Sequence, residues 1–333
     1  MELTLRAADD LHIHLRRDER TPVVMKSLGK GGTARALVMP NTQPAIATGE
    51  EARIYRDYLY QFNSDCELLM TIKLSPNTTP QHILDAVSEG VLAGKQYPDG
   101  VTTNSENGVR NVKDLFPIYE IMQETDMVLS LHGEVPGVFV MDAESAFLND
   151  LKLIHDNFPR LRIVLEHIST KDAVDTVKNM GPNVAATITD HHLAITLQDV
   201  VGTRLQPHHF CMPVAKRPED RQALIDIVKS GHPSFFSGTD SAPHLKETKE
   251  SACGCAGVFT SSIHMPLLAH LFNAESMLDR LENFTALFGA EFYRLERNSQ
   301  EITLIKKPLI VAREEGGIVP FWFGRTLDFS LYQ

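Results

Sequence analysis

Asp10-Leu11-His12-Ile13-His14-Leu15-Arg16, near the start of the sequence, is an apolar run in which every second position carries a chemically active side chain. Side chains alternate faces along a strand, so His12 and His14 project the same way. Two neutral imidazoles one residue apart are half of a site for zinc or a similar divalent ion. Arg16 shares their parity and is placed to grip a carboxylate with its two-pronged guanidinium. Read alone, the pair is equally compatible with two histidines on a polar face, because so short a motif recurs by chance. The rest of the chain decides between these readings.

Working outward, apolar strand-like runs follow at 34–39, 66–74, 91–95, 127–132, 162–166, 184–189 and 234–238. Helical stretches separate them at 22–29, 49–62, 79–90, 112–125, 142–158, 171–180 and 218–229. Strands alternating with helices imply a parallel sheet with helical crossovers. Eight rounds suit an α/β fold of the (β/α)8 type, a TIM barrel, with strands between about residues 3 and 240. A doubly wound open sheet is the alternative, but the first strand lacks a Gly-rich turn of the dinucleotide-binding type. Beyond 254 the sequence predicts helices over 259–272 and 274–295, then short strand-like pieces over 302–331 that pack on the barrel. The expectation is one domain, residues 1–333.

Composition narrows the chemistry. Hydrophobic residues make up 43% of the 333, enough for a large core. With 32 Lys and Arg against 43 Asp and Glu, the net charge is −11. No basic run suggests nucleic acid, so a small molecule is the expected partner. The cysteines Cys66, Cys211, Cys253 and Cys255 fit neither a zinc ribbon nor a disulfide scaffold, and buried reduced thiols are expected. With no targeting segment and no long apolar span, the expected location is cytoplasmic and away from membranes.

In a barrel of this kind the C-terminal strand ends share one rim, where active sites are built. The eight runs bring there His12, His14, Arg16, Asn41, Lys95, His132, His167 and Asp240. Four histidines and an aspartate at one rim favour a metal centre over coincidence. Beside divalent ions a lysine ammonium would be repelled. As a free amine, Lys95 can instead add carbon dioxide and become an anionic ligand with two oxygens.

These residues sit in motifs that resemble the amidohydrolase superfamily, and within it the shorter, stand-alone dihydroorotases. The matching stretches are Asp-Leu-His-Ile-His-Leu-Arg (10–16), Val-Met-Pro-Asn-Thr (38–42), Gly-Lys-Gln-Tyr-Pro (94–98) and Thr-Thr-Asn-Ser (102–105). Further along come Leu-His-Gly-Glu-Val (131–135), Leu-Glu-His-Ile-Ser (165–169), Gly-Thr-Asp-Ser-Ala-Pro-His (238–244) and Lys-Glu-Ser-Ala-Cys-Gly-Cys-Ala-Gly (249–257). The resemblance implies two divalent ions, zinc by default. His12, His14 and Asp240 would hold one and His132 and His167 the other, with N6-carboxylated Lys95 bridging both. It further implies that Asp240 is the catalytic proton carrier and that Arg16, Asn41 and His244 bind the substrate carboxylate. Thr102 and Thr103 would lie on a closing loop, and the main chain at Met212, Ala256 and Gly257 would meet a pyrimidine ring. The implied reaction interconverts N-carbamoyl-L-aspartate and L-dihydroorotate plus water, by a homodimer. Two positions depart from the pattern: Leu11, where relatives often carry Trp, and Arg17, where an acidic residue is common. Strand parity favours Arg16 over Arg17 as the carboxylate ligand. A hydantoinase-like enzyme is disfavoured, because few residues precede the first strand and hydantoins carry no anion for Arg16. A catalytically dead barrel is disfavoured because all six metal ligands are present.

Overall fold

A computed structural model describes residues 2–62, 65–100, 108–252 and 254–332. Short β1 (Glu2–Arg6) is followed by β2 (Ala8–Ile13), β3 (Thr33–Val38), β4 (Glu67–Leu74), β5 (Ala93–Gln96), β6 (Val128–Leu131), β7 (Ile163–Leu165), β8 (Val184–Ile188) and β9 (Phe235–Ser237). β2 to β9 form one parallel sheet in sequence order. Past its ends, Ile13 bridges Ser241 in parallel, and the Asp240 N–H donates to His12 O at 2.8 Å. The sheet thus curls into the eight-stranded barrel that the alternating pattern implies, with helices outside. Several of those helices start where a threonine side chain caps the first turn, as at Thr48, Thr79 and Thr170.

Both faces of these strands are buried, as a covered parallel sheet requires. One face packs on the helices. The other fills the barrel: Leu11, Leu37, Ala93, Val128, Val164, Ala185 and Phe236 form one cluster, each from a different strand. Two residues further along these strands, on the same inward face, come Met39, Lys95, Ser130, Glu166, Thr187 and Gly238. The interior therefore turns polar toward the C-terminal rim.

Three expectations change. The barrel begins at Ala8, because Glu2–Arg6 pairs antiparallel with β10 (Glu301–Ile305) outside it; β11 (Leu309–Ile310) and β12 (Thr326–Leu327) form a second small sheet, and β13 (Ser330–Leu331) completes the first. The helix expected over 274–295 is broken, since Ser276 takes a left-handed φ of 56° and a π turn spans Asn283–Leu287 before Phe288–Tyr293. That irregular turn brings Gly289 so close to the barrel that a Cβ there would lie 2.1 Å from Leu11 Cδ1. Finally, Cys66 and Cys211 are buried, but Cys255 is only half-buried. Leu304, Ile318 and Phe329 share the buried cluster of the barrel wall, so the C-terminal extension packs onto it as expected.

Candidate binuclear metal centre

Strand β2 ends at Ile13, and its register against β3 shifts between Asp10 and Ile13. Such irregularities re-aim side chains at a sheet edge. Here they leave Leu11 in the barrel core and send His12 and His14 to the rim. His14 Nε2 lies 3.0 Å and His12 Nε2 3.4 Å from the same Asp240 oxygen, Oδ1. His12, His14 and Asp240 bring one ligand atom each within 4.8 Å of one another. The ring of His167 is centred 5.0 Å from His12 and 4.7 Å from His132. All five side chains are buried and line one pocket, together with Arg16, Asn41, Met212, Ala256 and Gly257. Lys95 is fully buried inside the barrel, its Nζ 5.2 Å from the centre of the Tyr97 ring. Among the described residues that Nζ has no hydrogen-bond partner, nor has His167 Nδ1. Buried donors and acceptors without a partner are rare and mark a place for a ligand, and this imidazole and amine beside the Asp240 carboxylate make a donor set that divalent ions fit.

Electrostatics favour the ligand forms. Burial pushes the His14 imidazole down to about 4, despite its bond to Asp240, so it is neutral. Burial also holds His167 well below its usual range, helped by His132 and Lys95. At Asp240 burial pushes the other way, but the His14 hydrogen bond and the nearby imidazoles overcome it and keep the carboxyl ionised. Arg16, His167 and Asp240 have φ of 62°, 41° and 45°. Non-glycine residues held there cost about 1–3 kcal/mol each and gather at functional sites.

Arg16 is buried and Arg17 exposed. The separation that strand parity suggested is there, but its cause is different: the strand has already ended, and the left-handed turn at Arg16 directs its side chain inward. Arg16 Nε donates to Pro243 O at 3.0 Å and Nη2 to His244 Nε2 at 3.2 Å. Burial lowers His244 to about 2, leaving a neutral acceptor. A cavity of about 500 Å³ opens outward past His14, Arg16, Asn41 and His244. Thr102 and Thr103 lie outside the described residues.

Sequence reasoning left three groups unassigned. Glu166 Oε2 lies 2.8 Å from His12 Nδ1, and Glu134 Oε2 2.8 Å from His132 Nε2. Tyr97 lines the pocket. The inward-facing parity of Glu166, shared with Lys95 and Ser130, was a usable signal. The third group is His191, His192 and Cys211, whose ligating atoms also lie within 4.8 Å of one another. There, however, His192 Nδ1 meets Thr189 Oγ1 at 2.9 Å and Nε2 meets Pro213 O at 3.0 Å, and the Cys211 thiol donates to Pro213 O at 3.1 Å. His192 and Cys211 are thus satisfied within the protein, whereas neither ring nitrogen of His191 has a hydrogen-bond partner among the described residues.

No protein-family profile matches the chain. Individual proteins do. A dihydroorotase of Aliivibrio fischeri is 42% identical over 337 residues, covering 98% of both chains. The structure of Saccharomyces cerevisiae dihydroorotase in complex with 5-fluoroorotic acid matches with a TM-score of 0.94 and 36% identity, over 99% of this chain and 98% of that one. Campylobacter jejuni dihydroorotase gives 0.91 and 34%, over 100% and 98%. An Arthrobacter aurescens L-hydantoinase reaches 0.86 at only 16% identity, over 99% and 83%, which shows a shared fold and no more. Similarity of this strength along the whole length, on a matching barrel, settles the relationship: the chain belongs to the dihydroorotase family, amidohydrolase-type barrels that hydrolyse cyclic amides.

Proposed function

We propose that this chain interconverts N-carbamoyl-L-aspartate and L-dihydroorotate plus water at the rim where His12, His14, His132, His167 and Asp240 meet. The observation that carries this reading is the convergence of His12 and His14 on one Asp240 oxygen, at 3.4 and 3.0 Å, beside the other two imidazoles. In this arrangement His12, His14 and Asp240 would hold one divalent ion and His132 and His167 a second. Neutral imidazole and carboxylate suit zinc. Lys95 would supply the bridging ligand that the resemblance implies: burial lowers its amine to about 8, so a free amine is accessible near neutral pH. Carbon dioxide adds to that nitrogen, an N–C bond forms, one N–H proton leaves, and the product is an anionic, two-oxygen ligand.

When bound, the ions acidify a water molecule near neutral pH and polarise the amide carbonyl. The chain's own groups do the rest. Asp240, kept ionised, accepts the proton of the attacking water and delivers it to the ring nitrogen as the amide opens; in the synthetic direction it removes a proton from the carbamoyl nitrogen. Arg16, with His244 and Asn41 beside it, orients the substrate carboxylate, and orientation matters for a small reactant with few other handles. This anion-binding corner also favours dihydroorotate over a hydantoin.

Metal analysis and activity assays on one purified sample test the proposal. Two metal ions per chain and turnover of dihydroorotate, without turnover of hydantoin or dihydrouracil, are expected. Lys95→Ala should lose most of the metal and most of the activity, with partial recovery on adding a short carboxylic acid. Two retained metals and a wild-type rate in that variant would refute the bridge.

A further inference from the structure

The segments around Phe210–Met212, ahead of β9, and Cys255–Gly257, after it, come from different connections and run side by side. The Gly257 N–H donates to Phe210 O at 2.9 Å. Between them stands Lys249, the last residue of the one-turn helix Lys246–Lys249. Its Nζ lies 5.8 Å from the centre of the Phe210 ring. The ammonium donates to Phe210 O at 2.9 Å, Cys255 O at 2.8 Å and Gly257 O at 2.7 Å. An ammonium has three protons, and each is used on one of these two segments. The side chain is only 3% exposed. Neighbouring Glu250 pairs with His208 at 3.0 Å, and among the described residues Lys249 is held by carbonyls and not by a carboxylate. A buried charge is tolerated only where its hydrogen bonds are complete, which makes this contact strongly directional. Tightness of approach adds to it: Gly257 has a φ of 145°, and a Cβ there would lie 2.3 Å from Ala242 O.

We infer that Lys249 is a positioning residue for substrate binding, its ammonium locking the main chain at Met212 and at Ala256–Gly257 into the wall against which the substrate ring docks. The inference rests on the proposed function, and on Met212, Ala256 and Gly257 lining the same pocket as the rim histidines and Asp240. It separates Lys249 from the metal ligands: loss of the clamp should weaken binding and leave the chemistry of bound substrate largely alone.

The metal-loaded full chain carrying Lys249→Met keeps the length of the stem and removes the charge. Its KM for dihydroorotate should rise by about tenfold or more, with kcat within about threefold of wild type, the pattern of lost uniform binding. Metal content should stay at two per chain. Lys249→Gln keeps two donors and should fall between wild type and Lys249→Met, and it carries the test should the methionine variant not fold. An unchanged KM in a folded, metal-loaded variant, or a fall confined to kcat, would overturn the inference. Amide hydrogen exchange over 254–258 with and without 5-fluoroorotic acid checks the underlying contact in the wild type. Protection there combined with an unchanged KM in the variants rejects Lys249 alone; absence of protection rejects the contact and the clamp together.

Discussion

His12 is held at both ring nitrogens, Nε2 facing Asp240 and Nδ1 facing Glu166. Glu166 in turn accepts from the hydroxyls of Ser130 at 2.5 Å and Thr187 at 2.6 Å. Burial pushes its carboxyl up, but His12, Lys95 and the Ser130 hydrogen bond outweigh that and keep it ionised. A carboxylate on Nδ1 sets the tautomer and leaves the Nε2 lone pair for an ion. Partners of this kind are worth about 10–100-fold in metal affinity. Glu166→Gln should therefore lose metal to a competing chelator at about 10–100-fold lower chelator concentration than wild type. Retention equal to wild type would mean that Glu166 only fills space.

At the scale of elements, the barrel closes where its chemistry lies. β9 meets β2 through residues just past its own end: Asp240 N–H to His12 O at 2.8 Å and His14 N–H to Ser241 O at 3.1 Å. The approach needs Gly238, where a Cβ would lie 2.9 Å from His12 Cβ and 3.0 Å from Thr187 Cγ2. Overpacking of this sort costs about 1–3 kcal/mol. Gly238→Ala should lower the melting temperature by several degrees and displace His12, cutting activity at least about tenfold; each tenfold corresponds to about 1.4 kcal/mol. Calorimetry and a rate assay on the same sample check both. A variant as stable and as active as wild type would show that the seam yields freely.

Across the whole molecule, buried neutral histidines make stability depend on pH. Burial lowers His192 to about 4, outweighing its bond to Pro213 O, with Lys216 adding to the effect. The unfolded chain, with a histidine near 6.5, binds more protons between those values. Stability is then complete above about 6.5 and declines as pH falls toward about 4, by roughly 3 kcal/mol for a group this buried. His192→Gln lacks this component. Urea titrations at pH 7 and pH 4 should show the stability gap between wild type and variant narrowing in acid, a comparison in which the metal ligands cancel. A constant gap would place the acid sensitivity elsewhere. Among the described residues no helix is long and apolar enough to cross a membrane.

The local pattern was enough for the alternation of strands and helices, the barrel, the rim residues and the family resemblance, because strand parity and βα order are properties of neighbouring residues. Folding alone could decide which residues meet across hundreds of positions. The pairing of Glu2–Arg6 with Glu301–Ile305, the break in 274–295, the inward turn of Arg16, the support of His12 by Glu166 and the three carbonyls on Lys249 all join segments with no shared local signal. Each depends on distance-sensitive packing and hydrogen bonding in the closed barrel, and a sequence read along one dimension carries no such distances.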